Sequence, residues 1–260
     1  MRRNLKMIVQ IYEIQTAEEA RKCIEAGVDH VGSVLLPKAG WKNRALKETL
    51  RMTEGTPSKN SLIPLFREMD VLFRILDYYR PDVIHFCESL TDSHGCEAEL
   101  DQYVETQSRI GERFPEVGIM RSIPIPTESS APGFPTLEVA RKLEPVSDFF
   151  LTDTWVKNEP VQGFIGITGR PCDWRIARDL VLQSKVPVIL AGGLSPENVH
   201  EALLKVWPAG ADSCTQTNRR DGEGNTVRFK KDFERVKKFV QEVRRAELGE
   251  RSWYQGGTKK

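Results

Sequence analysis

The sequence predicts an α/β protein made of a single (βα)8 barrel, the TIM-barrel architecture, with eight parallel strands. Short apolar runs alternate strictly with amphipathic stretches, which is typical of βα units that build a parallel sheet. Eight such units follow one another, and eight fits closure into a barrel better than an open doubly wound sheet. The chain has 260 residues, about the size of one barrel, although length alone would also permit two small domains.

Each predicted strand is a run of apolar or β-branched residues, and each predicted helix repeats apolar residues three or four positions apart. The strands are expected at residues 7–14, 30–36, 62–66, 82–87, 117–125, 149–154, 187–191 and 211–215. The helices that follow them are expected near 16–27, 44–52, 71–79, 98–113, 137–143, 173–181, 195–206 and 233–243.

Capping residues mark several helix starts. Thr16, with Glu19 three positions further on, forms a capping box, and Asp173 is a good N-cap for the sixth helix. Ser195-Pro196 favours a start of the seventh helix at that point, because proline fits the first helical turn. These local signals agree with the alternation of strands and helices.

Composition and charge favour a globular cytoplasmic protein. Hydrophobic residues make up 39% of the chain and charged residues 29%, and the formal net charge is +1. This balance indicates neither nucleic-acid nor acidic-membrane partners, and no segment resembles a membrane span or a signal peptide. The five scattered cysteines are expected to be reduced thiols. Residues 1–246 are expected to form the barrel domain, and 247–260 a flexible C-terminal tail.

Three loops at the expected active end have the composition of phosphate-binding loops. They span residues 163–169, 191–194 and 213–217, after the sixth, seventh and eighth strands. Glycines let backbone N–H groups approach an anion, and a following helix start adds favourable dipole charge. The alternative is that these glycines only form tight turns. The expected phosphate contacts are Gly166, Thr168, Gly169, Gly192, Gly193, Thr215 and Gln216.

Two stretches in the second half of the chain resemble a known family. Residues 187–198, Pro-Val-Ile-Leu-Ala-Gly-Gly-Leu-Ser-Pro-Glu-Asn, are similar to the Leu-Ala-Gly-Gly-Leu-x-Pro-x-Asn-Val signature of phosphoribosylanthranilate isomerase, an enzyme of tryptophan biosynthesis. Residues 151–154, 166–169 and 173–174 resemble that family's Leu-Leu-Asp-Thr, Gly-Gly-Thr-Gly and Phe-Asp-Trp segments. Weaker similarity extends over nearly all of the remaining chain.

The resemblance implies an isomerase that acts on a phosphorylated sugar without a cofactor. The family catalyses an Amadori rearrangement, in which an acid opens the sugar ring and a base removes a proton from the neighbouring carbon. The family's acid corresponds to Asp153, whose pKa would have to be raised by burial or by nearby negative charge. The alternative for Asp153 is a carboxylate that only caps a loop or pairs with a base.

The family's catalytic base does not carry over to this sequence. Tyr12 stands where the family has a cysteine, and strand alternation points Gln10 and Tyr12 into the barrel. A phenol has a reference pKa of about 10, against about 8.5 for a thiol, so it is a poor base unless strongly perturbed. His85 and Cys87 share an inward orientation on the fourth strand and are further candidates. The candidate catalytic residues are Asp153, Tyr12, His85 and Cys87.

The substrate end departs from the family in several places. The family's Ser-x-Arg after the second strand is replaced by residues 39–41, Ala-Gly-Trp, and its Ser-Ser-Gly-x-Glu on the last strand by residues 214–218. These departures favour a changed substrate or a changed reaction on the same scaffold. The residues expected to contact the rest of the substrate are Gln10, Arg44, Arg121 and Asp212.

Two other functions fit the sequence. The missing cysteine is compatible with a non-catalytic or repurposed barrel that binds a phosphorylated metabolite. A metal-dependent enzyme is a weaker alternative, in which His85, Cys87, His94 and Cys96 would hold zinc. Their spacing is not that of a standard zinc site, so no metal is expected, and the family resemblance implies that no cofactor is needed. The expected partner is a phosphorylated small molecule, and a homodimer is left open.

Overall fold

The structure of the chain, a computed structural model, describes residues 6–37, 40–91, 99–127, 133–161 and 163–256, with side chains described as far as residue 248. Eight parallel strands hydrogen-bond in chain order and the last pairs with the first, so the sheet is a closed barrel. The predicted fold class is confirmed. The strands are β1 (Ile8–Ile11), β2 (His30–Leu35), β3 (Lys59–Pro64), β4 (Val83–Phe86), β5 (Gly118–Pro126), β6 (Phe149–Trp155), β7 (Val188–Leu190) and β8 (Gly210–Ser213).

Helices cover the outside of the barrel, and a helix comes after each of these strands in the chain. They are α1 (Ala17–Glu25), α2 (Arg44–Arg51), α3 (Met69–Tyr79), α4 (Asp101–Arg113), α5 (Thr136–Leu143), α6 (Trp174–Gln183), α7 (Val199–Val206) and α8 (Phe233–Gly256). None of the helices in the described ranges combines the length and the apolar composition needed to span a bilayer.

The strands separate a core inside the barrel from a second core beneath the helices. Ile8 packs inside the barrel with apolar residues from four other strands. Val9 and Ile11 belong instead to the large cluster formed with the surrounding helices. Successive side chains of a strand point to opposite faces, so the alternation places Gln10 and Tyr12 inside the barrel, as the sequence predicts.

Helices α1 and α6 begin at their predicted caps. Thr16 Oγ1 accepts a hydrogen bond from Glu19 N at 3.2 Å, and Asp173 Oδ1 accepts one from Arg175 N at 2.8 Å. The capping box of α1 is shifted by one residue, because the Glu19 carboxylate accepts from Gln15 N at 3.2 Å. Side-chain acceptors therefore satisfy backbone donors at both helix starts, as capping requires.

The predicted start of α7 at Ser195-Pro196 is wrong, because a turn held by Asn198 comes first. The Asn198 side chain accepts a hydrogen bond from Ser195 N at 2.8 Å and donates one to Gly193 O at 3.1 Å. Asn198 N and Val199 N also donate to Ser195 O, at 3.2 and 3.0 Å, so residues 195–198 form a single turn that leads into the helix. The helix begins only at Val199.

Helix α8 extends past the expected domain boundary at residue 246 and continues to Gly256. The Glu247 carboxylate accepts hydrogen bonds from Met7 N and from Arg244 Nη1. This contact connects the last helix to the start of the first strand. The expected boundary between barrel and tail therefore falls inside a helix.

A two-stranded antiparallel hairpin, absent from the predicted elements, lies between β8 and α8. Its strands are β9 (Asn218–Arg220) and β10 (Thr226–Lys231). Asp221 N donates to Asn225 O at 2.9 Å and closes the turn between them. The hairpin matters for the site because two of its residues, Arg228 and Phe229, line the barrel mouth.

Candidate active site

A cavity of about 460 Å³ opens at the carboxyl ends of the barrel strands. Its walls come from the ends of the strands, the loop after β6, the glycines after β7 and the β9–β10 hairpin. This is the end of the barrel that carries active sites in this fold. The predicted site residues that line the cavity are Tyr12, His85, Cys87, Asp153, Gly166, Thr168, Gly169, Gly192, Gly193, Asp212 and Thr215.

The glycines of the loops after β6 and β7 border this cavity in left-handed backbone conformations. The φ angle is +108° at Gly166, +64° at Gly169, +93° at Gly192 and +60° at Gly193. A side chain at position 192 would also collide, since a Cβ would lie 2.4 Å from Thr154 Oγ1. Within the described ranges, the N–H groups of Gly169 and Gly193 donate to no protein acceptor. Unpaired amides beside one cavity are an arrangement that suits an anion such as phosphate.

Asp153 projects from β6 into the cavity. Burial, followed by the negative charges of Asp212 and Glu159, raises the pKa of Asp153 to about 8. Ser122 Oγ donates to Asp153 Oδ2 at 3.3 Å. The glycine at position 166 leaves space for this carboxyl group, because a Cβ there would lie 2.7 Å from the same oxygen. Asp153 is therefore largely protonated at neutral pH and able to donate a proton.

A chain of hydrogen bonds runs from Asp153 through Ser122 to the opposite side of the barrel. His85 Nε2 lies 2.9 Å from Ser122 Oγ, and His85 Nδ1 lies 2.7 Å from Tyr12 Oη. Tyr12 Oη in turn lies 2.7 Å from Ser61 Oγ. Burial is the main cause that lowers the pKa of His85 to about 3. A neutral imidazole donates at one nitrogen and accepts at the other, so His85 can link the two hydroxyl groups.

The three residues considered as the base are all neutral in this arrangement. Burial raises the pKa of the Tyr12 phenol and of the Cys87 thiol well above their ordinary values. His85 is unprotonated, but an imidazole with so low a pKa takes up a proton only weakly. None of the three is matched to proton abstraction near neutral pH.

Asp212, near the end of β8, is a second carboxyl group in the cavity. Burial raises the pKa of Asp212 to about 7. Gln10 Nε2 donates to Asp212 Oδ1 at 3.2 Å, and Gln10 Oε1 lies 3.0 Å from His30 Nδ1. Gln10 thus lies below the cavity and positions Asp212, which corrects the prediction that Gln10 contacts the substrate.

Neither arginine expected to bind the substrate reaches the cavity, and that prediction is corrected. Arg44 lies on the surface of α2, where its side chain is 90% exposed and pairs with Glu48 at 3.1 Å. Arg121 precedes an inward residue of β5 and therefore points outward, beneath α4. It donates to Glu88 Oε2 and to Gln107 Oε1, each at 2.6 Å. Successive side chains of a strand point to opposite faces, so the residue next to an inward-facing one points away from the cavity.

Gln216, expected to contact phosphate, is bound to the protein instead. Its Nε2 donates to Gly169 O at 3.1 Å, and its Oε1 accepts from Arg220 Nη2 at 3.2 Å. Unlike its neighbour Thr215, Gln216 does not line the cavity. The side chain therefore holds the loop after β6 against the loop after β8.

The loop after β6 borders the cavity and is attached to the segment that follows β4. Ile165 N donates to Cys87 O at 2.9 Å, and Ser89 N donates to Gly163 O at 3.0 Å. Arg67 Nη2 adds a third bond to Gly163 O at 2.7 Å. These contacts fix the position of the glycines that come next in the same loop.

The zinc alternative depends on His94 and Cys96, which lie outside the described residues. Over the part of the chain that the structure describes, no group of three or more His, Cys, Asp or Glu side chains is arranged to hold a metal ion. His85, the other expected histidine ligand, has both ring nitrogens beside hydroxyl groups. The described residues therefore give no support to this alternative.

Comparison with known proteins assigns the chain to a family. The family model described as N-(5'-phosphoribosyl)anthranilate isomerase matches residues 9–242. The chain belongs to this isomerase family. A relative, N-(5'-phosphoribosyl)anthranilate isomerase 1 from Methanosarcina mazei, is 25% identical over 94% of this chain and 97% of its own length.

Solved phosphoribosylanthranilate isomerase structures share the fold. The enzyme of Thermotoga maritima has a TM-score of 0.65 at 21% identity, covering 92% of this chain and 98% of that one. A second such structure has a TM-score of 0.63 at 19% identity, with the same coverage of both chains. It is a complex with reduced 1-(o-carboxyphenylamino)-1-deoxyribulose 5-phosphate. At these identities the structural likeness supports the barrel fold.

This member of the phosphoribosylanthranilate isomerase family accommodates Tyr12 through a glycine on the neighbouring strand. A Cβ on Gly32 would lie 2.3 Å from Tyr12 Cδ1. The tyrosine is 3% exposed, so its ring has little room to move aside. A glycine at an inward position of β2 is the sequence feature that could have revealed this pairing.

We expect Gly32→Ala to destabilise the fold, because the added methyl group overlaps the Tyr12 ring. Overpacking of this kind costs about 1–3 kcal/mol in the free energy of unfolding. In a Tyr12→Ala background the same change should cost much less, since the overlapping ring is gone. Denaturant unfolding of the four proteins measures both costs. Equal costs in the two backgrounds would show that the two positions do not compete for the same space.

Proposed function

We propose that the chain catalyses the Amadori-type isomerisation of a phosphorylated aldosylamine to an aminoketose, with Asp153 as the general acid. The observation that carries the proposal is the carboxyl group of Asp153, which lines the cavity and has a pKa of about 8. Opening the sugar ring requires a proton at the ring oxygen, and an acid with a pKa near the working pH is suited to supply it. The chemistry needs a phosphorylated small molecule and no cofactor.

In this proposal the substrate phosphate binds at the glycine loops after β6 and β7. Gly169 and Gly193 offer unpaired amide donors there, and the hydroxyl-bearing residues Thr168 and Thr215 line the same cavity. Backbone amides supply fixed partial positive charge without a lysine. The phosphorylated ligand in the second solved family structure belongs to the class of molecule expected here.

Asp212 is the base that this proposal assigns. After the sugar ring opens, a proton must be removed from the neighbouring carbon. The base that removes it has to be ionised while Asp153 still holds its proton. Asp212 has the lower pKa of the two, about 7 against about 8. The two carboxyl groups interact, so their titration belongs to the pair. When the pair holds one proton, that proton resides mainly on Asp153, and Asp212 is free to accept another.

The hydrogen-bonded chain behind Asp153 acts in this proposal as a positioning device. Ser122 contacts the acid directly, while His85 and Tyr12 hold Ser122 from behind. All of these partners are neutral. The hydrogen bond from Ser122 lowers the pKa of Asp153, but burial and the nearby carboxylates outweigh it. A tyrosine at position 12 fits this role because its hydroxyl group bridges His85 and Ser61.

Turnover of phosphoribosylanthranilate tests the proposal. The purified protein is mixed with this compound, and formation of the aminoketose is measured against a protein-free control. Growth rescue of a tryptophan auxotroph that lacks the isomerase provides a second test. Catalysed conversion supports the proposal. Binding without conversion favours a phosphometabolite-binding barrel, the alternative motivated by Tyr12 in place of the family's cysteine.

The dependence of kcat/KM on pH is expected to be bell-shaped. The rising limb should follow ionisation of Asp212 near pH 7, and the falling limb loss of the proton from Asp153 near pH 8. Activity is then highest between these values, where one carboxyl group is ionised and the other is not. Steady-state kinetics over acidic to alkaline pH measures the profile. A rate that continues to rise well above pH 8 contradicts the role of Asp153 as the acid.

A further inference from the structure

Five polar side chains form one unbranched chain of hydrogen bonds across the inside of the barrel. In order along the chain they are Ser61, Tyr12, His85, Ser122 and Asp153. The first four side chains are buried, whereas Asp153 is partly exposed and lines the cavity. Among the described residues, none of the hydroxyl groups and ring nitrogens in this chain has a further hydrogen-bond partner.

The number of hydrogens in this chain can be counted. Each hydroxyl group carries one, and a neutral imidazole carries one on a ring nitrogen. Burial lowers the pKa of His85 to about 3, and the positive charge of Arg121 adds to this effect, so the ring is neutral. When Asp153 is ionised, four hydrogens therefore serve four hydrogen bonds. Only one arrangement satisfies all four bonds, because a carboxylate can only accept.

That arrangement directs every donor toward Asp153. Ser122 Oγ donates to the carboxylate at 3.3 Å, so the same oxygen has to accept from His85 Nε2 at 2.9 Å. His85 Nδ1 then bears no hydrogen and accepts from Tyr12 Oη at 2.7 Å. Tyr12 Oη in turn accepts from Ser61 Oγ at 2.7 Å. His85 is therefore the tautomer that carries its hydrogen on Nε2.

Protonation of Asp153 adds a fifth hydrogen to the same four bonds. The extra hydrogen has to find an acceptor outside the chain. On Ser61, Tyr12 or Ser122 it would be buried with no acceptor among the described residues, and a buried donor without a partner costs free energy. On Asp153 it can point into the cavity, where a substrate oxygen can accept it. The direction of the chain therefore stays the same in both states of Asp153.

We propose that His85 is a positioning residue, whose Nε2–H tautomer makes Ser122 a donor to Asp153 and leaves the acid's own hydrogen for the substrate. This inference rests on the proposed function, because it specifies how the proposed acid presents its proton. The proton passes from Asp153 to the ring oxygen of the sugar, the carboxylate keeps the bond from Ser122, and no proton moves along the chain. The opposite tautomer would let Asp153 donate its hydrogen to Ser122 instead.

Four other titratable groups lie near Asp153 without joining the chain. Burial raises the pKa of Asp153 most, and the negative charges of Asp212 and Glu159 raise it further. Burial also raises the pKa of the Cys87 and Cys172 thiols, so both stay protonated. Among the described residues, none of these four side chains is hydrogen-bonded to the acid. The direction of the hydrogen bonds is therefore set by the members of the chain.

Nitrogen NMR of the folded wild-type protein tests the tautomer directly. The ring signals of His85 are assigned by through-bond correlation to the backbone of the same residue. The nitrogen that carries the hydrogen is then identified by its one-bond coupling. We expect this hydrogen on Nε2 both well below and well above the Asp153 pKa of about 8. A hydrogen on Nδ1, or a change of tautomer when Asp153 gains its proton, overturns the inference.

Two substitutions of His85 test the consequence for catalysis. H85Q keeps a donor near the place of Nε2, whereas H85M fills similar space and offers none. In H85M the bond from Ser122 to the carboxylate weakens, so the falling limb of kcat/KM should move to more alkaline pH. The kcat should fall by about 3- to 10-fold, the range for one hydrogen bond, with little change in KM. H85Q should keep the falling limb close to its wild-type position.

The possible results separate this inference from the proposed function. Thermal unfolding first establishes that both variants are folded; if H85M is not, the NMR result on the wild-type protein decides. Equal falling limbs in the wild type, H85Q and H85M would show that His85 only fills space, and would overturn the inference. Turnover by a wild-type protein with the hydrogen on Nδ1 overturns the inference but supports the isomerase. Hydrogen on Nε2 without turnover supports the direction of the chain, whereas the proposed function fails.

Discussion

Asp153→Asn is expected to lower kcat for the proposed isomerisation by about 100- to 10,000-fold, the contribution typical of a positioned general acid. The amide keeps the shape of the carboxyl group but cannot deliver a proton to the ring oxygen. The KM should change little, because the phosphate contacts lie in the glycine loops. Steady-state kinetics on phosphoribosylanthranilate measures both constants. The matched control is Asp77→Asn, at an exposed carboxylate paired with Arg113 on the helical surface, which should leave kcat unchanged.

Asp153→Asn should also change the stability of the protein. This effect distinguishes a loss of catalysis from a loss of folding. The pKa of Asp153 is raised in the folded protein to about 8, so folding favours the protonated form. The corresponding stability is present at acidic pH and is lost as pH rises from the ordinary aspartate pKa through about 8. Asparagine does not ionise, so the Asp153→Asn variant does not lose stability in this way. It should be at least as stable as the wild type in alkaline solution. An inactive variant that is also unfolded there would contradict this account.

Arg121→Met is expected to destabilise the protein by about 3–5 kcal/mol, the cost of leaving one partner of a buried ion pair uncompensated. The side chains of Arg121 and Glu88 are 0% and 6% exposed, and they are 2.6 Å apart. The guanidinium group also packs against the rings of Phe86 and Tyr103, at 5.0 and 5.4 Å from their centres. Methionine replaces part of this packing but none of the charge. Urea unfolding gives the free energy of unfolding directly.

Two comparisons isolate the buried charge as the cause of that loss. Arg113→Met breaks the exposed pair with Asp77, whose side chains are 51% and 58% exposed, and should cost no more than about 1 kcal/mol. Arg121→Met combined with Glu88→Met removes both buried charges and should recover most of the stability lost in the single variant. If the double variant is no more stable than Arg121→Met, burial of an unpaired Glu88 is not the cause.

Strand alternation explains why much of the cavity could be predicted from the sequence. Tyr12, His85 and Cys87 occupy positions whose parity points into the barrel, and all three line the cavity. The glycine loops were predictable because positive φ and close backbone approach both require glycine. The prediction that Arg121 contacts the substrate was wrong. The same alternation excludes it from the cavity, because it precedes the inward-facing Ser122 on β5. Its phase on the strand directs it beneath α4.

The hairpin and the second carboxyl group were harder to infer. Residues 221–225, Asp-Gly-Glu-Gly-Asn, form a recognisable turn, and Thr226–Lys231 alternates in the manner of a strand. The short β9 strand is polar and buries little, so apolar periodicity gives no signal for it. The sequence predicts that Asp212 contacts the substrate, but it does not reveal how deeply this residue is buried. Burial raises its pKa, and that burial is created by parts of the barrel that are far apart in the chain.

The contact between Glu13 and the hairpin limits how freely this barrel can be re-engineered. Loops at the active end of a barrel are commonly exchanged as modules, because the scaffold below them is indifferent to their identity. Here a shorter loop in place of the hairpin would remove Arg228, Asn218 and the Phe229 amide, which all donate hydrogen bonds to Glu13. The buried Glu13 carboxylate would then lose these partners. The hairpin and Glu13 would therefore have to be transferred together, although more than two hundred positions separate Glu13 from Asn218 in the chain.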